Sequence, residues 1–354
     1  MKRIARALFG SVAVGALLLG CSGQTAAPTT TPATSAAAES TTPAPAPTTP
    51  AERVTMNIAS LKGPTTMGLV KLMDDATKGA GKQDYKVTMY GSPDEVVPLV
   101  VQGKVDVALI PSNLAAVLYQ QTKTDAGPAV QVAAINTLGV LQIVENGNTV
   151  HTWADLKGKT IYTTGKGTTP EYVLDYLLAK NGLDPAKDVT VAFESEATAL
   201  GSRVTANPGT VAVLPQPYVT VVEKQTASVR TVFDLTDEWT KVSDAGSQLI
   251  TGVLVVRTAF VKDHPAAFAD FLADYQASTK YTNDDPAGAA ALIAAAGIVP
   301  AAPVAQAAIP ASHVTYIAGA DMKTALSSYL QVLFTADPKS VGGTMPGDDF
   351  YFGS

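Results

Sequence analysis

The sequence predicts an α/β fold of two similar lobes, each a central sheet with flanking helices, and three observations predict it. Lys62-Gly63-Pro64-Thr65-Thr66 ends an apolar strand-like run and opens a helix-like run, and Lys166-Gly167-Thr168-Thr169-Pro170 does the same further along. Each is followed, at an identical distance, by an apolar run that stops on proline: Ala108-Leu109-Ile110-Pro111-Ser112 and Ala212-Val213-Leu214-Pro215-Gln216. Around these marks, strand-like runs alternate with runs of helical period, the pattern of a parallel sheet covered on both faces.

The elements follow in order. Val54, Met56 and Ile58 alternate with Thr55 and Asn57, which predicts a strand ending near Leu61, and Met67, Val70 and Met73 share one face of a helix over 67–76. Lys86–Tyr90 alternates again, Pro93–Gln102 reads as a short helix, and Val105–Ile110 is a continuous apolar strand. Val130–Asn136 and Leu138–Glu145 read as strands that carry the chain across to the other lobe. There the order repeats: strand 160–163, helix 171–181 closed by Gly182, strand 189–193, helix 196–206 and strand 211–214. Gln248–Arg257 is the return crossing, followed by helices over 265–281, 287–296 and 322–334. One lobe is therefore expected over 53–140 and 250–354, the other over 141–249.

The N-terminus predicts a location. Lys2, Arg3 and Arg6 precede an uncharged apolar run from Ala7 to Leu19, which is shorter than the roughly 20 residues needed to span a bilayer and reads as a secretory signal over residues 1–21. Leu18-Leu19-Gly20-Cys21 resembles the lipobox of bacterial lipoproteins. That resemblance implies a diacylglycerol on Cys21, which becomes the mature N-terminus, and a chain held on the extracytoplasmic face of the cell membrane. Residues 22–52 are mostly Thr, Pro, Ala and Ser, too polar to offset their ordering entropy, and read as a disordered tether. With a single cysteine in the chain, disulfides and cysteine-ligated metal are excluded from the exported domain.

Against 31 Asp and Glu stand only 25 Lys and Arg, without long runs of either sign, so nucleic acid is not an expected partner. The three histidines are scattered, and no nucleophile elbow, zinc-protease helix or calcium loop occurs. Gly158-Lys159-Thr160 fails as a phosphate loop, because Trp153 stands where that pattern requires glycine. The reading is of a monomer without catalytic residues, metal or cofactor.

Trp153-Ala154-Asp155-Leu156-Lys157-Gly158-Lys159-Thr160-Ile161, Gly165-Lys166-Gly167-Thr168-Thr169 and Leu177-Leu178-Ala179-Lys180-Asn181-Gly182-Leu183 together resemble the second lobe of solute-binding proteins of ABC importers. The nearest group is the nitrate, sulfonate, taurine and thiamine-precursor type. Val105–Pro111 and Pro215-Gln216-Pro217-Tyr218 extend the likeness over nearly all of the domain. It implies a periplasmic-binding-protein-like fold of class II, a ligand cleft between the lobes, and delivery of a small solute to an ABC permease and, through it, its ATPase. The related thiamine-pyrimidine synthases use a cysteine-rich loop that this chain lacks. Two rival roles stay open, a surface-anchored enzyme of the same fold and a sensory or adhesive lipoprotein without a permease.

Ligands of open α/β sheets sit where strand ends lead into helices. Lys62, Gly63, Pro64, Thr65 and Thr66 in one lobe, and Lys166, Gly167, Thr168 and Thr169 in the other, place helix starts and countercharge there, which favours an anionic solute. Tyr90, Gly91 and Ser92 end the middle strand of the first lobe. Pro111, Ser112 and Asn113 follow its last strand, as Gln216 and Tyr218 follow that of the second. Thr137, Leu138 and Gly139 mark the crossing, equally readable as a plain turn.

Overall fold

Strands buried on both faces need cover on both sides, and this requirement organises the computed structural model, which describes residues 53–243 and 246–354. The signal, Cys21 and the tether over residues 1–52 lie outside the described residues.

The chain begins with β1 (Thr55–Leu61), α1 (Pro64–Met67), α2 (Val70–Thr77), β2 (Asp84–Tyr90), α3 (Pro93–Val101), β3 (Val107–Pro111), α4 (Ser112–Thr122) and β4 (Val130–Leu138). It continues through β5 (Leu141–Asn146), β6 (Thr160–Thr164), α5 (Thr169–Lys180), β7 (Thr190–Glu194), α6 (Ala197–Ala206), β8 (Val211–Pro215), α7 (Tyr218–Gln225), β9 (Val229–Asp234) and α8 (Leu235–Val242). The last stretch holds β10 (Ile250–Arg257), α9 (Thr258–Asp263), α10 (Pro265–Asp284), α11 (Pro286–Ala295), α12 (Ala302–Ala308), β11 (Val314–Ile317) and α13 (Gly319–Ala336).

Two mixed sheets result, ordered β11-β4-β10-β3-β1-β2 and β7-β6-β8-β5-β9. Their inner strands match: β1 lies parallel between β2 and β3, and β6 parallel between β7 and β8. In each sheet an antiparallel strand, β10 or β5, closes on the last of the three. The β3–β10 junction is apolar and buried, Val107-Ala108-Leu109-Ile110 facing Val253–Val256, and the β5–β8 junction is so at Leu141, Ile143 and Val144. Away from the cleft each sheet is pinned by an ion pair. Arg257 Nη2 lies 2.7 Å from Asp106 and Arg230 Nη2 lies 2.8 Å from Glu145, whose side chain is wholly buried.

Packing joins the halves. α13 sets Tyr329 against Trp239 of α8, with ring centroids 5.3 Å apart, and Trp239 in turn meets Tyr176 of α5 at 4.9 Å. Leu138-Gly139-Val140-Leu141 carries the chain from the first sheet to the second, so the run read as one strand over 138–145 is split. The helix expected over 67–76 is also divided, α1 ending at Met67 and α2 starting at Val70, and at Gly68 between them a side chain would come within 3.0 Å of Thr279 Oγ1 and 3.1 Å of Val314 Cγ1. Among the described residues no helix is long and apolar enough to cross a membrane.

Candidate functional site

Five helices begin at one cavity of about 100 Å³ between the sheets. Pro64 opens α1 and Pro93 opens α3 from the first half, while Pro170 sits in the first turn of α5, Ala197 opens α6 and Tyr218 opens α7 from the second. Proline suits the first turn, since its missing N–H lacks an intrahelical acceptor there anyway. The residues that open these helices bring the positive ends of their dipoles to the same space. Leu61, Thr65, Pro111 and Thr251 complete the wall from the first half, and Leu141, Thr164, Gly165 and Pro215 from the second. Two charged side chains line it, Lys62 and Glu196. Among the described residues no cluster of His, Cys, Asp and Glu is arranged to hold a metal.

Hydrogen bonds cross the cleft on both flanks of the cavity. The Tyr218 hydroxyl donates to the Lys62 carbonyl at 3.3 Å, and its ring edge lies against Gly63, whose φ of 141° favours glycine. Burial first, and then the negative charge of Glu196, push the Tyr218 hydroxyl above its ordinary range, so it remains a donor. On the other flank Asn113 Nδ2 donates to the Gly167 carbonyl at 3.3 Å, and Thr169 Oγ1 donates to Asn113 Oδ1 at 3.2 Å. Glu196 crosses at the rim, where a side chain on Gly91 would stand 2.8 Å from its Oε2. The halves are therefore shut on each other.

Of the residues singled out in the sequence, Lys62, Pro64, Thr65, Gly91, Pro111 and Tyr218 line the cavity. The others take neighbouring places outside its wall. Thr66 is fully buried, its hydroxyl bonded to the Leu61 carbonyl at 2.6 Å and 2.7 Å from Ser60 Oγ. Ser112, Asn113 and Thr169 are buried in the contact between the halves, and Ser112 also donates to the Ile250 carbonyl. Ser92 caps α3 with Glu95 in a capping box, and Tyr90 ends β2 beside it. Lys166 lies over the Phe193 ring at 5.7 Å, Gly167 N–H donates to Glu171, and the Thr168 hydroxyl turns back to the Gly165 carbonyl. Gln216 accepts from Thr220 within α7. Thr137 is buried in β4, Leu138 ends that strand, and Gly139 admits Thr236, whose Oγ1 would stand 2.2 Å from a side chain there.

Sequence reasoning missed the turn Ser195-Glu196-Ala197-Thr198, which enters the cavity between β7 and α6. Its signal was present, because a helix start following a strand was legible at Glu196. Thr251, one residue into β10, carries no such mark.

A larger cavity, about 720 Å³, lies between α5 and α13. Asp175 borders it with Asp337, and burial, then the charges of Glu171 and Asp337, raise its carboxyl to about 6. No strand ends there, so it lacks the convergence of the smaller cavity.

The family model described as NMT1/THI5 like matches residues 83–289. This chain belongs to the NMT1/THI5-like family. YtlA, a candidate binding protein of Bacillus subtilis (strain 168), is 25% identical over 139 residues, 39% of this chain and 41% of YtlA. Less than half the length of that relative is thus spanned. Among solved structures, an ABC transporter protein from Parabacteroides distasonis superposes with a TM-score of 0.66 at 22% identity, covering 84% of this chain and 98% of that one. The periplasmic aliphatic sulphonate binding protein of Escherichia coli superposes with a TM-score of 0.63 at 18% identity, over 82% and 90% of the two chains. The fold of this family member is therefore the two-lobed periplasmic-binding-protein fold that the sequence predicted.

Proposed function

We propose that this protein is the solute-binding component of an ABC importer, held on the extracytoplasmic face of the cell membrane by a lipid on Cys21, and that it captures a small anionic solute. The observation that carries the reading is the convergence of five helix starts, two from the first half and three from the second, on one cavity across which the halves are bonded. A solute gripped by both halves stabilises the closed state by its differential affinity for that state. Lys62 and the first-turn N–H groups of α6 supply the anion's partners, since Leu200 N is the first in that helix to bond back, to the Glu196 carbonyl. Glu196 is placed to accept from a donor on the same solute. The role is binding rather than catalysis, in keeping with the family match and with the structural relatives, an ABC transporter protein and a sulphonate binding protein.

Thermal-shift screening against nitrate, sulfonates, phosphonates, carboxylates and pyrimidines tests the solute. A ligand at about 100 times its dissociation constant stabilises by about 2.7 kcal/mol. Stabilisation by an anion that Lys62→Met cuts to about half is the expected result; no shift with any of the panel overturns the reading. Cys21→Ser is expected to release the protein from the membrane fraction into the medium, and retention overturns the anchor.

A further inference from the structure

Tyr172, Asp175, Tyr176 and Ala179 share one face of α5, since residues three, four and seven places on from Tyr172 fall along the same side of a helix. That face forms one wall of the cavity of about 720 Å³ between α5 and α13. Val332 and Ala336 of α13 stand in the other wall, with Asp337 just past the helix end. Helices that met only to pack would carry an apolar residue at position 175, yet a half-buried carboxylate is set there between two phenol rings and aliphatic side chains. Its charge has no counterpart. The charges it feels are those of Glu171 and Asp337, both negative, and no cation pairs with it among the described residues. Glu171 accepts from the Gly167 N–H and Asp337 from the Lys339 N–H at 2.9 Å, so each has a partner of its own. Lys180, the one cation among the described lining residues, lies over the Tyr176 ring at 5.4 Å instead.

We propose that the α5–α13 cavity is a second ligand site, separate from the cleft, and that it takes an organic ammonium ion with an apolar stem: the ammonium lies against Asp175 and Asp337, and the stem runs along Tyr172, Tyr176, Val332 and Ala336. Size admits such a molecule, because small-molecule sites run from roughly 300 to 1,000 Å³. Charge decides the class. An anion would meet three carboxylates, and a neutral molecule would strip water from Asp175 without replacing it. A bare metal ion is no better served, since among the described residues no cluster of His, Cys, Asp and Glu is arranged to hold one. An ammonium supplies the missing countercharge and gains from the ring faces as well, as Lys180 does on Tyr176. The raised Asp175 carboxyl agrees with a site built for a cation, because burial and like charge raise it while nothing opposes them. The inference does not depend on what the cleft binds.

Calorimetric titration with phenethylamine, which joins an ammonium to an aromatic stem, tests it beside methylamine, which keeps the charge alone, and phenethyl alcohol, which keeps the stem alone. At about pH 7.5 the wild-type protein is expected to bind phenethylamine with a dissociation constant below about 1 mM, and each control at least about tenfold more weakly. As the pH falls to about 5, Asp175 takes up a proton, so the affinity for phenethylamine should drop by about tenfold. Asp175→Asn should bind it about tenfold more weakly at the higher pH and show no such drop. Ala336→Trp starts from an exposed position, fills the cavity and leaves every carboxylate in place, and it should not bind the amine. No saturation by phenethylamine, equal binding of either control, or an affinity unchanged in either variant overturns the site, and none of these outcomes touches the reading of the cleft.

Discussion

Lys62-Gly63-Pro64-Thr65 after β1 and Lys166-Gly167-Thr168-Thr169 after β6 occupy equivalent places in their sheets, yet the first lines the cavity with lysine, proline and threonine while the second turns its lysine away onto Phe193. The cause is local. In the first turn proline follows lysine by two positions, and the helix starts at once. In the second, Gly165 at φ 67° and Gly167 at φ 73° widen the turn, Glu171 takes the Gly167 N–H, and Thr168 bonds back to Gly165. The wall is left with Gly165 and Pro170 from that turn. The turns one strand further on reverse the roles. After β2, Glu95 accepts from Gly91 N at 3.2 Å and Ser92 N at 3.1 Å, whereas no side chain caps α6 after β7. Duplicated sheets thus carry unequal sites, with the lysine supplied by one half and the open helix end by the other.

The largest effect expected from breaking this comparison falls on the two sheet pins, not on the turns. Glu145→Ala should cost about 3 kcal/mol in urea unfolding, because it removes a wholly buried carboxylate that Thr149, Val150 and Arg230 all donate to. Burial alone would raise the Glu145 carboxyl, but hydrogen bonds from Thr149 and Val150 and the charge of Arg230 outweigh it and hold it below the ordinary range. Its stabilising contribution is therefore present at neutral pH and lost as the pH falls below about 4 through the depressed folded value, so Glu145→Gln should flatten the acid limb of the stability curve. Solute affinity should not change in either variant.

The turns come next. Lys62→Met should weaken the best anion from the screen by about tenfold, a loss of about 1.4 kcal/mol, while Lys166→Met should leave titrations within about twofold. Equal losses would restore the symmetry that the geometry denies. Thr66→Ala should lower stability by about 1 kcal/mol without altering affinity, since its hydroxyl is spent on Leu61 and Ser60 inside the first half. The smallest effect is expected at the α5–α13 cavity. Asp175 has a raised carboxyl, so it costs stability as the pH rises through about 6 and nothing below about 4. Asp175→Asn should stabilise at pH 8 by about 1 kcal/mol at most, because solvent screens a half-buried group, and should be neutral at pH 4.

Much of the fold was legible because its signals are local. The strands read over Val105–Ile110 and Val211–Leu214 are β3 and β8, within one or two residues at their ends, and Gly182 marked the end of α5. The helix α4 was not read, and that omission moved Ser112 and Asn113 from a supposed rim into the buried contact between the halves. Nor were α7, β9, α8 and β11 read. β11 is only Val314-Thr-Tyr-Ile, a length at which periodicity carries little signal, and it exists because β4 offers it an edge.

The sequence by itself determined the repeated strand–helix order, the proline-ended strands and the glycines of the turns, because each follows from backbone sterics and hydrophobic period within a few residues. Only the tertiary structure decided which of two similar lysines faces the cavity, that Glu196 and Thr198 join it, and that Tyr218 bonds across to Lys62. Those outcomes depend on how two distant stretches of chain meet across a cleft, and the aim of a side chain there is set by the half it closes on.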